Sequence, residues 1–153
     1  MIELLAAAAL ALAQDAVHLR CDSIHDRSAH LARGTVELVR DDDEDRITRV
    51  PLTAPAPGVR VYNFQPVSIS LRERFSHDTE GFTDTYEVLL PAPLIAVRGM
   101  VRIAHNFDCV PSLSDNDRCV FPDLGTRLAP VMLSAERRGS QTLLTCTRVR
   151  PRG

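Results

Sequence analysis

The chain predicts an all-β fold: an antiparallel small barrel or a two-sheet sandwich of about eight to nine strands, with at most one short helix. Three observations carry this. Apolar residues recur at every second position through most of the sequence, the period of a half-buried strand. Pro, Gly and Asp clusters fall between those runs, where turns are needed. Two of the four cysteines, Cys21 and Cys146, lie near opposite ends of the chain and in the inward phase of their runs.

Taken in order, Val17, Leu19 and Cys21 share one phase, with His18 and Arg20 on the other. Val36 and Leu38 alternate with Thr35 and Glu37, and Val50 and Leu52 follow after the acidic run Asp41 to Asp45. That run is expected to cap a hairpin between strands near 34–40 and 46–52. Pro55, Pro57 and Gly58 precede a strand opening at Val59 and Val61, in which Tyr62 and Phe64 fall in phase with Arg60. Val67, Ile69, Leu71 and Phe75 form the next face, then Tyr86, Val88 and Leu90. Ile95, Val97, Val101 and Ile103 also keep a period of two through Gly99, which predicts a long strand bent at the glycine. Val131, Leu133 and Ala135 are followed by Leu144 and Cys146, with Arg137-Arg138-Gly139 expected as a three-residue hairpin loop. One stretch suits a helix: Asp22 or Ser23 as cap, residues 24–33, and Gly34 as stop.

The first thirteen residues are expected to be a signal peptide and 14–153 a single β domain. Residues 4–12 are Leu and Ala only, a run too short to span a bilayer, and Ala11 and Ala13 precede Gln14 in the spacing of a signal cleavage site. The n-region, Met1-Ile2-Glu3, lacks the usual Arg or Lys. No later run is long enough for a membrane span, so a periplasmic or secreted location is expected. All 18 fixed positive charges are Arg, set against 20 acids for a net charge of −2. This balance argues against a nucleic-acid surface or a polybasic membrane patch. An even cysteine count in an exported chain implies two bridges, with three connectivities open. Cys21 with Cys146 and Cys109 with Cys119 is the favoured pairing: the first joins the opening and closing segments, the second closes a short loop. No C-x2-C pair supports a zinc ribbon or a thioredoxin-type site.

Candidate chemistry is thin. Asp41 to Asp45 could gather Ca²⁺ but lacks the spacing and Gly of an EF-hand loop, and a solvated turn explains it. Asp115-Asn116-Asp117, inside the short cysteine loop, could hold a cation on preorganised carbonyls and carboxylates, but Asx residues are also ordinary turn formers, and a turn explains them. His25 and His30 fall about 140° apart on a helix, poor for one metal, and His18 faces outward. His105, expected at a strand end near Asp108, and Glu73, inward between Leu71 and Phe75, are the sharpest acid–base candidates. Arg60, Arg98 or Arg102 are the expected partners of Glu73, and Asp78 and Glu80 its nearest fellow acids. No G-x-S-x-G, S-x-x-K or glycine-rich phosphate loop is present. No catalytic residue, metal or cofactor is therefore assigned.

In strand count and terminal disulfide the chain resembles, in outline, small secreted barrels of the lipocalin and calycin type. The G-x-W signature of lipocalins is absent, since there is no Trp. The resulting expectation is a non-catalytic binding or envelope interaction module. Its partner would be a small apolar ligand or an envelope protein, and its cavity would be lined by positions such as Val67, Ile69, Val97 and Val101. A hydrolase or metal-dependent enzyme is the alternative, and it requires Glu73, His105 or the Asp115 loop to meet in one cleft.

Overall fold

The computed structural model describes residues 17–25, 37–41, 45–52, 58–76, 81–112, 115–121 and 131–150. The strands in chain order are β1 (Val17–Leu19), β2 (Glu37–Asp41), β3 (Asp45–Leu52), β4 (Val59–Val61), β5 (Ser68–Ser76) and β6 (Gly81–Leu90). The helix α1 (Leu94–His105) follows, then β7 (Val110–Ser112), β8 (Asp115–Phe121), β9 (Val131–Arg138) and β10 (Gln141–Arg150). Eight strands make one antiparallel sheet in the order β2-β3-β5-β6-β10-β9-β8-β7, and β1 pairs with β4 in a small parallel sheet. The arrangement is sandwich-like and open, not a closed barrel: β2 and β7 stand at opposite ends of the order. Edge strand β7 is three residues long and contains Pro111, which has no N–H to extend the ladder.

Alternation along the strands becomes rows across the sheet. Ile69, Val88, Leu144, Ala135 and Cys119 are successive register partners from β5 to β8. Leu71, Tyr86, Cys146, Leu133 and Phe121 form the row beside them. Nine of these ten side chains are buried, and Leu71 is partly buried against the same core. The small sheet and α1 supply the rest of that core through Leu19, Val59, Val61, Val97 and Val101. Each such side chain contributes roughly 1.5–3 kcal/mol on burial.

Two disulfides hold the layers: Cys21–Cys146, with Cα atoms 5.4 Å apart, and Cys109–Cys119, at 5.5 Å. The first fastens the turn after β1 to the middle of β10. The pairing bridges 125 residues of sequence, and it is the chemistry of an oxidising compartment. Among the described residues, no helix is long and apolar enough to cross a membrane.

Several expectations are corrected. The segment through Ile95 and Ile103 is α1, not a bent strand. Val97 and Val101, four apart, lie at 0% exposure, while Ile95 and Ile103 are 81% and 75% exposed. Residues i and i+4 share a helix face, and Pro93 at the N-cap suits helix entry, so the apparent period of two was carried by two solvent-facing isoleucines. Gly99 is a mid-helix residue, not a bend. The strand opening at Val59 ends at Val61, because Tyr62 and Asn63 take left-handed backbone (φ 49° and 68°) in a tight turn closed by Val61 and Phe64. The β9–β10 loop is two residues, Gly139-Ser140, since Arg138 pairs with Gln141. Residues 21–25 form a turn, and the remainder of the expected helix at 24–33 lies outside the described residues. Asp41 and Asp45 do end β2 and begin β3, while 42–44 lie outside the described residues.

Candidate functional site

Of the positions expected to line a cavity, Ile69, Val97 and Val101 are completely buried in the core, and Val67 is 43% exposed just before β5. Open space lies elsewhere, at the start of α1. Thr142, fully buried on β10, donates its hydroxyl to the Ala92 carbonyl at 2.8 Å and so fixes the chain entering the helix. Pro93 then caps α1 without a side-chain hydrogen bond, and its carbonyl accepts from Ala96 and Val97 at 3.0 and 3.2 Å. The N–H groups of Leu94 and Ile95 have no acceptor within the helix, as at any helix start.

Facing this helix start are β8 and the β9–β10 turn. Together they enclose a groove of about 570 Å³ lined by Pro93, Leu94, Ile95, Arg98, Asp117, Arg118, Cys119, Arg137, Gly139 and Ser140. Leu94 packs on the core, but Ile95 does not. The wall that carries Cys119 is tied by its disulfide to Cys109, just beyond α1. Gly139 has φ 63°, the left-handed backbone that lets this turn close in two residues.

Ion pairs set the electrostatics of the rim. Arg98 donates from Nε and Nη2 to the two oxygens of Asp108, at 2.8 and 2.9 Å. Asp108 Oδ1 also accepts the Cys109 N–H at 2.8 Å. The Arg98 guanidinium holds the Asp108 carboxyl well below its ordinary range, at about 2, with the Cys109 amide helping. Asp108 in turn raises the pKa of Arg98. Across the groove Arg137 Nη1 lies 3.4 Å from Asp117 Oδ1. On the face towards α1 the groove thus carries two guanidiniums, Arg98 and Arg137, each beside a carboxylate; Arg118 borders it from β8 but shares its row with Glu136 and Leu143, on the other face of the sheet.

The acid–base candidates are dispersed. Glu73 is on β5 and Asp117 on β8, with β6, β10 and β9 between them. Asp115-Asn116-Asp117 opens β8 and is not a turn. The register neighbour of Glu73 is Asp84, whose own partner on β10 is Arg148. This charged row continues the two apolar ones, and Asp84 is buried. Arg98, one of the expected partners of Glu73, is committed instead to Asp108. His77, Asp78, Glu80 and His30 lie outside the described residues. His18 is exposed on β1, and His25 is buried with its ring edge-on to Tyr86, centroids 5.1 Å apart.

His105 is not at a strand end beside Asp108. It closes α1, where Nε2 lies 2.6 Å from the Tyr62 hydroxyl oxygen. That oxygen accepts the Cys21 N–H at 2.9 Å. With the Cys21 N–H donating to the oxygen, the arrangement that satisfies both contacts has Tyr62 donating its O–H to a neutral imidazole. Burial acts in the same direction, pushing the His105 pKa down; Asp22 opposes this, and Arg20 adds to it. Burial pushes the Tyr62 hydroxyl well above its ordinary range. The triad joins turn, small sheet and helix, and it is walled by Phe107 stacked on His105 at 5.8 Å.

Sequence reasoning missed the groove because its three arginines are far apart in the chain and unremarkable singly. The usable signal was Pro91-Ala-Pro93 followed by Leu94, Val97 and Val101, a helix entry with helical spacing. No family model matches the chain, and no curated protein or solved structure is significantly similar to it.

Proposed function

We propose that this chain is an exported, disulfide-braced β domain that acts by binding, not catalysis, and that the groove at the start of α1 is its ligand site. The observation that carries this is the groove itself. Its volume of about 570 Å³ falls within the roughly 300–1,000 Å³ typical of small-molecule sites, and it combines an apolar wall with a few charged groups. Dispersal of Glu73, His105 and Asp117 over separate elements favours binding over hydrolysis. Export is supported by the Leu/Ala run at 4–12, with Ala11 and Ala13 before Gln14, and by two bridges of the kind that persist outside reducing compartments.

Two measurements test the reading. Amide NMR of the oxidised chain, titrated with short amphiphiles, should move the signals of Leu94, Ile95, Arg118, Gly139 and Ser140. Perturbation confined to other surfaces removes the groove as the site. Amino-terminal sequencing of the protein released by its host should begin at Gln14, and an intact Met1 would overturn export.

A further inference from the structure

Helix α1 turns two large apolar side chains toward solvent. Ile95 and Ile103, at 81% and 75%, are the most exposed large apolar residues among those described. Gly99 stands midway, four positions from each. At about 100° per residue, Ile95 and Ile103 lie about 40° to either side of Gly99, and the midline of the buried pair Val97 and Val101 lies diametrically opposite. The outermost row of the helix is therefore Ile-Gly-Ile, with no charge in it, where a surface helix ordinarily carries polar residues. A Cβ built on Gly99 meets nothing within 4 Å, so the row is open along its middle.

The row reads the same from either end. A two-fold axis through Gly99, perpendicular to the helix, lays Ile95 of one copy beside Ile103 of a second, and Ile103 beside Ile95. That is the reciprocal contact of an isologous dimer. The glycine has a use at that axis. Where two i, i+4 ridges cross, a side chain at the crossing holds the helices apart, and its absence lets the backbones close below the usual 8–10 Å. The antiparallel sense sets the two helix dipoles in opposition. Charge does not obstruct it: Arg98 is committed to Asp108, and Arg102, beside the row, lays its aliphatic stem along Ile95 of the second copy.

A lipid surface matches less well. An interfacial helix keeps a broad apolar face for the membrane, whereas α1 spends that face on the core through Val97 and Val101 and leaves a row one residue wide. We infer that the outer row of α1 is a self-association surface, and that its occupant is α1 of a second copy of this chain, crossing antiparallel at Gly99. A helix of 12 residues is about 18 Å long and about 10 Å wide. Such a footprint falls well under the roughly 800 Å² per partner of a standard interface, so the dimer is weak and reversible. The inference does not depend on the ligand reading, although Ile95 serves both surfaces.

Sedimentation velocity of the full oxidised chain, from about 10 µM to about 1 mM, should show a monomer–dimer equilibrium with a dissociation constant of roughly 100 µM. Over the same range the amide signals of Ile95, Gly99, Arg102 and Ile103 should move together while those of β5 and β6 stay fixed. Ile95→Ser or Ile103→Ser removes two apolar contacts from a two-fold pair, and each should weaken the dimer by about tenfold or more. Gly99→Gln suits a helix and keeps both isoleucines, yet puts a long side chain at the crossing, and should weaken the dimer by as much. All three positions face water, and unshifted amides in β5 and β6 certify the fold of each variant. A chain still monomeric at the highest concentration overturns the inference. A dimer that Gly99→Gln leaves intact, or concentration-dependent shifts confined to other surfaces, overturns the crossing of helices. Anionic phosphatidylglycerol vesicles form the last arm. Vesicle binding that the two serine variants abolish, in a chain that does not self-associate, makes the occupant a lipid surface and overturns the second copy.

Discussion

Replacing Tyr62 by Phe removes one oxygen and breaks two contacts at the junction of three elements. The Cys21 amide, in a fully buried residue, loses its acceptor at 2.9 Å, and His105 Nε2 loses its donor at 2.6 Å. A buried polar group deprived of its partner costs about 1–3 kcal/mol. The amide is better shielded than the half-buried imidazole, so the sum is about 2–3 kcal/mol. Guanidinium denaturation of the oxidised chain measures it. The same site carries a pH signature. The pKa of His105 is lowered from 6.5 in the folded protein, so the unfolded chain binds more protons just below that value. Its contribution is complete above about 6.5 and is lost as pH falls from there through the depressed folded value. The stability difference between the native chain and His105→Gln, whose amide accepts from Tyr62 but does not titrate, should therefore shrink from pH 7.5 to 5.5. A Tyr62→Phe loss below about 0.5 kcal/mol, or a difference that grows on acidification, would refute the clasp.

The other predictions concern sulfur, helix and core. Cys21→Ser with Cys146→Ser should cost about 5 kcal/mol in the chain-entropy model for a 125-residue separation, and the Cys109–Cys119 pair about 3. Denaturation midpoints ordering the two pairs the other way would contradict this. Gly99→Ala should stabilise by about 0.5–1 kcal/mol, because a Cβ there meets nothing within 4 Å and alanine suits a helix interior; destabilisation would argue against α1. Leu144→Ala, at the centre of the first apolar row, should cost about 2–5 kcal/mol by the same denaturation assay. Arg98→Gln should return the Asp108 carboxyl from about 2 toward 3.8, measurable by carbonyl NMR; an unmoved midpoint would mean the Cys109 amide alone holds it.

Much of the sheet was legible because its signal is local. Phase along β6, β9 and β10 predicts which side chains point inward, and Tyr86, Val88, Leu133, Ala135, Leu144 and Cys146 are all buried. Cys21 and Cys146 in that phase made a terminal bridge chemically reasonable. What failed were cases where two periods fit one string. From Ile95 to Ile103 the residues satisfy a strand, but the helix fully buries Val97 and Val101, the pair that a helix brings to one face, with Ala96 and Met100 partly buried beside them. Barrel closure failed for a related reason. Curling a sheet until its edges meet requires those edges to pair, and here α1 and the small sheet cover the inner face instead. His105 was seen but misplaced, because its partner Tyr62 is 43 residues away on a turn that only the three-dimensional fold brings near.

The same covering elements explain why the open space lies where it does. Beneath α1, Val97, Val101, Ala135 and Leu144 are fully buried, and protein interiors pack closely. A groove opens where the helix begins, between it, β8 and the β9–β10 turn. Each wall there has its own anchor: Thr142 on the Ala92 carbonyl, Cys119 bonded to Cys109, and Arg98 clamped by Asp108. A ligand entering such a groove need not order its walls, so little of its contact energy is lost to immobilising them. Reducing the Cys109–Cys119 bridge alone, by Cys109→Ser with Cys119→Ser, should therefore weaken amphiphile binding more than it disturbs the sheet. Titration of that variant beside amide spectra of β5 and β6 separates the two effects. Unchanged affinity in a folded double variant would show that the groove keeps its shape without the bridge, and that the disulfide serves stability only.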